Sequence, residues 1–443
     1  MNIAIIGAGW AGIAAAVQAI AAGHQVRLFE ASHSVGGRAR AVAGTLPDGT
    51  PITLDNGQHI LIGAYLETLR LLKQVGVDTD AALLRLPLTL RFPDGAGLCF
   101  PRWPSPLDAL GGILGARGWT AADKWSLLRH ALRWRLSGFA CAANLTVRDL
   151  CQDLRPRVLA ELIAPLCVSA LNTPAHEASA QVFLRVMQDA LFGAAGGSNL
   201  LLPRIDLSEL FPAAGLRYLL ARGAQVQLGT RIDALRAQGA QWQVAGQCFD
   251  AVILASGARD AVRLLDASAD SAEAEHRRQM QRWCSVAQEL HFEAIATVYA
   301  WSADASLAAP MLSLRSDTMS PAQFVFDRGQ LGGPAGLLAF VVSASNTDRA
   351  TLQTHVLAQA QAQLGLCLQP VQTIVEKRAT FACTPGLLRP TQHIAPGLLA
   401  CGDYVAGPYP ATLEGAVRSG VAAVTALTRS VDAVKNISQG DPP

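Results

Sequence analysis

His59 is the residue of this 443-residue chain best suited to moving a proton near neutral pH, and Asp55 stands four positions before it. Asp55 could orient the imidazole or act as the acid itself; a purely structural hydrogen bond is the rival role for His59. Tyr65, Tyr404 and Tyr409 could each donate a hydrogen bond or offer a ring face to a developing positive charge. A separate chemistry is written at the start of the chain, in Gly7-Ala8-Gly9-Trp10-Ala11-Gly12. Gly7 permits a tight turn, Gly9 lets the backbone approach a pyrophosphate, and Gly12 allows close packing of the following helix. The helix start at Trp10 and Ala11 offers unpaired amides to phosphates. Glu30, 18 residues beyond Gly12, is placed to accept from a ribose hydroxyl.

The opening motif accepts either NAD or FAD. Gly36-Gly37-Arg38 adds a second glycine turn and a guanidinium for the same pyrophosphate. Far away, Gly402-Asp403 can receive a sugar hydroxyl, and amides around Ala411, Thr412 and Leu413 can face the electron-rich side of a reduced flavin. Together these resemble the desaturase and amine-oxidase superfamily of FAD proteins, in which the N-terminal pattern continues into GGR. FAD is therefore the expected cofactor, with Ala31, Gly57, Gln58, His59 and Ile232 completing the expected contacts.

The elements that must position these residues follow a βαβ opening: a strand at 2–6, a helix ending near Gly23, and a strand at 25–29. The fold expected is α/β, a Rossmann-like FAD-binding domain of the two-dinucleotide-binding type, with a mixed-sheet substrate domain and a helical insertion. The flavin domain is assigned 1–83, 212–265 and 396–431, the insertion 84–211, the substrate sheet and its helix 266–395, and a flexible tail 432–443. Within these, 200–203 reads as a brief return to the flavin domain, 230–236 and 249–254 as strands, 293–301, 323–327 and 337–343 as strands of a second sheet, and 374–378 as its last. Residues 349–364 and 412–427 read as helices.

Hydrophobic residues make up 51% and charged residues 16% of the chain, yet no run reaches the roughly 20 apolar residues a spanning helix needs. A formal net charge of +2 without a Lys/Arg stripe excludes a nucleic-acid partner. Nine cysteines without CxxC pairing imply reduced thiols and a cytoplasmic protein, and with no HExxH they indicate no metal site.

The run 55–65 (DNGQHILIGAY) narrows the likeness. With GAGWAG, GGRAR, Leu171-Asn172-Thr173 and the closing CGDYVAGPYPATLEGAVRSG, the chain resembles the hydroxysqualene dehydroxylases, also described as squalene-associated FAD-dependent desaturases. The resemblance implies reduction of hydroxysqualene to squalene by reduced FAD in squalene and hopanoid biosynthesis. A long apolar isoprenoid is then the substrate, and an electron donor that no motif identifies must re-reduce the flavin. A carotenoid or other isoprenoid desaturase on the same frame, or a non-catalytic FAD-binding carrier of prenyl lipids, are the alternatives. Residues 159–168 are expected along the isoprenoid tunnel, with Pro165 and Cys167 alternatively belonging to the core. The stretch 123–136 mixes Lys124, Arg129, Arg133 and Arg135 with Trp125, Leu132 and Trp134. It reads either as a helix dipping into the surface of the cytoplasmic membrane or as one packed on the substrate domain with a solvated basic face.

Overall fold

Asn2–Ile6 is apolar after its first residue and buried on both faces, as a central parallel strand must be. In the computed structural model, which describes residues 1–193, 195–270 and 272–439, it lies between Gln25–Phe29 and Ala251–Leu254, parallel to both. The six-stranded sheet extends through Gln225–Gln227 at one edge and through Leu398–Ala400 and His393–Ala395 at the other. The opening helix, Trp10–Ala21, is almost wholly small and apolar, so it can be covered on both sides. The closing helix, Leu413–Gln439, packs closely across it: a Cβ on Gly420 would sit 2.3 Å from the Ala11 carbonyl oxygen. This helix continues well past 431, so most of the expected tail is helical; 440–443 lie outside the described residues.

The second sheet is antiparallel, in the order Met311–Ser313, Phe324–Asp327, Leu337–Ser343, Phe292–Trp301, Gln369–Phe381. Its side chains alternate: Val325 and Phe340 pack with Leu352 and Val356 of the helix Arg349–Leu364, whereas Phe324, Phe326 and Val341 turn towards a cavity. The insertion contributes the helices Leu107–Leu114, Ala121–Leu136, Ala164–Leu171 and Ala180–Phe192. Leu200–Pro203 returns not to the parallel sheet but to a small antiparallel one, between Leu61–Ile62 and Leu83–Leu86.

Two expected strands are corrected. Residues 231–235 form no ladder because the neighbouring main chain is engaged elsewhere: Thr230 N donates to Glu30 O (2.8 Å) and Leu235 N to Ser268 Oγ (2.8 Å). Strand structure begins only at Arg236–Gln238, the first limb of a three-stranded meander. The stretch 249–254 is split at Asp250, whose carboxylate receives Asn2 N (2.7 Å) and Gln241 Nε2 (2.8 Å). The chain thereby leaves the meander at Phe249 and enters the parallel sheet at Ala251. No helix among the described residues is long and apolar enough to cross a membrane.

Candidate active site

One cavity of about 740 Å³ runs from the carboxyl ends of the parallel strands to the inner face of the second sheet. Its first part is built of backbone. Gly7 has φ +112°, and a Cβ there would lie 2.7 Å from Ala255 O; Gly36 N donates to Ala8 O (2.9 Å), which locks the two glycine turns side by side. Gly7, Gly9, Trp10, Ala11, Ala31, Gly36, Gly37, Gly57, Ile232 and Gly402 all line this part. Gly12 does not. A Cβ there would meet Gly7 O at 1.9 Å, so Gly12 sets the turn rather than touching its contents.

Glu30 lines the cavity with both carboxylate oxygens engaged by main chain, one by Ala8 N (2.6 Å) and the other by Ser32 N (2.8 Å); each keeps a further lone pair. Arg38 reaches the Asp403 carboxylate and donates to Ala379 O (2.7 Å) and Arg378 O (3.1 Å). It thus ties the closing loop to the longest strand of the second sheet. Burial works against its charge, but Asp403 outweighs that and holds the guanidinium above its ordinary range. Before the closing helix, Tyr409 and Ala411 both take left-handed backbone (φ +58°), a strained arrangement for residues with side chains. Thr412 Oγ1 receives Gly415 N (2.9 Å) and donates to Tyr409 O (2.8 Å), which fixes the helix start under the cavity, where Ala411, Thr412 and Leu413 line it.

These residues fit FAD. The glycine turns form a cradle that any side chain would fill, and the buried Gln58 Nε2 has no hydrogen-bond partner within the protein although Gln58 lines the cavity. Arg328 Nη1 donates to Gln58 Oε1 (3.2 Å); a guanidinium only donates, so the amide nitrogen is the end left for a ligand.

The five expected catalytic residues separate. His59 lines the cavity, and its Nδ1 lies 2.7 Å from Gly57 O. A carbonyl only accepts, so Nδ1 carries the proton and Nε2 presents a lone pair. Burial lowers the basicity of the ring, with Arg38 adding to the effect, so the imidazole is neutral at neutral pH. In that form it accepts a proton at Nε2; it can give one there only when both ring nitrogens are protonated. Asp55 is absent from the lining. Its Oδ1 receives Leu207 N (2.8 Å) and its carbonyl receives Tyr299 Oη (2.8 Å), so it joins the insertion and the second sheet to the nucleotide-binding part.

Burial pushes the Asp55 carboxyl up to about 6. The unfolded carboxyl is the stronger acid, so the stability Asp55 contributes is present below about pH 4 and is lost as pH rises through about 6, a swing of about 3 kcal/mol. D55N removes this dependence: between pH 5 and pH 7 the thermal midpoint of wild type should fall relative to that of D55N.

Tyr65, Tyr404 and Tyr409 all line the cavity. Tyr65 and Tyr409 stand edge to face, their centroids 6.3 Å apart, and Tyr404 packs edge-on against Trp283 at 6.2 Å. Burial raises Tyr409 to about 12, and the negative charge of Asp189 adds to that; burial raises Tyr65 as well. Both keep their protons at neutral pH.

The apolar end was only partly foreseen. Of 159–168 only Leu166 lines the cavity; Cys167 is buried in the core behind it. The main wall is Ala180–Phe192, through Phe183, Val186, Met187 and Ala190, whose helical spacing was the available signal. Asn172 receives Ala344 N (2.8 Å) and donates to Thr380 Oγ1 (3.0 Å), so Leu171-Asn172-Thr173 fastens the end of the helix Ala164–Leu171 to the second sheet. Ser32, Arg259 and Arg263, at the nucleotide end, were also missed. The Ala255-Ser256-Gly257-Ala258 turn that presents Arg259 was the cue.

Residues 10–428 match the flavin-containing amine oxidoreductases, and the chain belongs to that family; it is an FAD-dependent oxidoreductase. It is homologous to the hydroxysqualene dehydroxylases. The protein of that description from Sinorhizobium fredii is 28% identical over 447 residues, covering 95% of this chain and 96% of the relative. A zeta-carotene desaturase from Synechocystis is 37% identical, but over 83 residues, 19% of this chain and 16% of the relative. Among solved structures, an oxidoreductase from Methanosarcina mazei shares the fold, with a TM-score of 0.70 at 16% identity, covering 96% of this chain and all of that one.

Proposed function

We propose that this enzyme reduces hydroxysqualene to squalene with FAD as its redox cofactor. The observation that carries the reading is the continuity of one cavity, a glycine-lined cradle at one end and a wall of Phe183, Met187, Phe324 and Phe326 at the other. Likeness to the Sinorhizobium dehydroxylase along nearly the whole chain supports it over a desaturase, where the likeness covers only a short segment. Bound in reduced form, FAD supplies hydride to carbon. The apolar wall holds the hydrocarbon and excludes water from the carbon that loses its hydroxyl. Tyr409 lines the cavity and stays protonated at neutral pH; its proton passes to the departing hydroxyl, which leaves as water, and solvent restores it. Tyr65 and Tyr409, both in the cavity lining, bring aromatic rings near the allylic cation left behind. The same reading puts the enzyme at the surface of the cytoplasmic membrane, where such a substrate dissolves.

Anaerobic mixing of photoreduced protein with hydroxysqualene should yield squalene and reoxidise the flavin. Lipid binding without either change would sink the reaction and favour a carrier. Y409F should lower the rate roughly 100-fold with flavin content unchanged, and H59A should lower it much less. A large loss in H59A, with a pH–rate limb near neutrality, would return the acid role to His59.

A further inference from the structure

Twelve large apolar side chains are exposed among the described residues, and seven of them fall between positions 103 and 136. Leu107, Leu110 and Leu114 recur at helical spacing on the outer side of Leu107–Leu114, with Trp103 beside them packed over Gly111. Ala121–Leu136 buries Leu127, His130 and Trp134, yet its opposite face carries Trp125 (68% exposed), Leu132 and Leu136 (79% exposed). A helix apolar on both faces calls for a partner on each. Lys124 Nζ donates to Leu114 O (2.7 Å), which brings the end of one helix to the start of the other and joins their outer faces.

The charges on this surface have one sign. Arg102, Arg117, Arg129, Arg133 and Arg135 are exposed, whereas the only carboxylates of the segment, Asp108 and Asp123, are buried. Large apolar side chains ringed by arginines complement an interface of acyl chains and anionic headgroups. The surface is also tied to the cavity. Ser105 Oγ, just before the first of these helices, donates to the carbonyl of Leu191 (2.8 Å), and Leu191 lines the apolar end. The helix Ala164–Leu171, which packs against Ala180–Phe192, adds an exposed lining residue to the cavity, Ser169.

We propose that the outer faces of Leu107–Leu114 and Ala121–Leu136 seat the enzyme on a bilayer containing anionic lipid, and that the lipid substrate passes from that side into the apolar end of the cavity. The docking half stands without the hydroxysqualene reading; the passage half rests on it.

The test is flotation of the FAD-loaded enzyme with vesicles of phosphatidylcholine alone or mixed with phosphatidylglycerol. Wild type should float with the mixed vesicles and at least tenfold less with the neutral ones. L110E/L114E should lose tenfold or more of that binding with its flavin spectrum intact, and R129E/R133E should lose the preference for phosphatidylglycerol. With hydroxysqualene in vesicles, L110E/L114E should raise the apparent KM about tenfold, while kcat on detergent-dispersed substrate stays at the wild-type value. Wild type that floats with neither vesicle, or L110E/L114E that floats as wild type does, overturns the docking. A wild-type dimer that L110E/L114E breaks, without vesicle binding, would assign the face to a second copy and likewise overturn it. Equal loss of activity in vesicles and detergent overturns the passage. A wild type that floats but leaves hydroxysqualene unchanged would overturn the substrate reading and leave the docking standing.

Discussion

Gly12→Val should yield protein that retains less than a tenth of the wild-type FAD. The valine Cβ would be placed 1.9 Å from Gly7 O and 3.0 Å from the Ala255 Cβ, with strand backbone on one side and helix on the other. Overpacking a core costs about 1–3 kcal/mol when side chains can shift; here the obstacle is the phosphate-binding turn itself. Relief requires the helix Trp10–Ala21 to withdraw from the strand, and its amino end then no longer faces the cavity. Gly23→Ala is the matched control. It also lies in a turn (φ +79°) but has open space where the new carbon would go, so it should lose some stability and keep its flavin. The ratio of flavin to protein absorbance after gel filtration decides the matter, and full occupancy in G12V would overturn the packing role given to Gly12.

Glu414→Ala should lower unfolding stability by about 3–5 kcal/mol. Glu414 is fully buried, and its carboxylate receives Glu67 N (3.0 Å), Thr68 N (2.9 Å), Thr68 Oγ1 (2.7 Å) and Arg418 Nε (2.6 Å). Two of these donors are first-turn amides of the helix Leu66–Gln74, which has no side-chain cap of its own. The closing helix therefore caps a helix nearly 350 residues earlier. Truncation leaves the buried amide and hydroxyl of Thr68 and the part-buried amide of Glu67 without this acceptor, against a total stability of roughly 5–15 kcal/mol. E414Q keeps one acceptor oxygen and should fall between. Urea midpoints at a fixed excess of FAD measure the effect, since cofactor binding itself shifts them. A change below 1 kcal/mol would show that water can take over the cap.

The nucleotide end was legible because its chemistry is local: a glycine turn between strand and helix means the same thing wherever the rest of the chain goes. Leu337–Ser343 and Arg349–Leu364 fall where periodicity puts them, since each buries a full face. Asp55 stands four residues before His59, but the strand Pro51–Asp55 aims its carboxylate at Leu207 N, a partner 152 residues away that no local spacing announces. Glu414 lies inside the closing run CGDYVAGPYPATLEGAVRSG, and nothing in its neighbourhood announces a partner at Thr68. His59 shows the same limit in another form. Its residue type suggests an acid, but its protonation state depends on burial and on the Gly57 carbonyl, which only the fold supplies.

Gly7 to Gly12 leave the ribosome well before Ala255, the strand Leu398–Ala400 and the helix carrying Glu414 and Gly420, which are needed to complete the layer around them. At about 5–20 residues per second, a newborn chain waits on the order of 20–80 s for those pieces. Through that interval the phosphate turn has no finished sheet, the Leu66–Gln74 helix has no cap, and flavin has nowhere to settle. Flavin capture is thus a late event of biogenesis, and a chain cut short after the second sheet would carry a complete dinucleotide motif without a binding site.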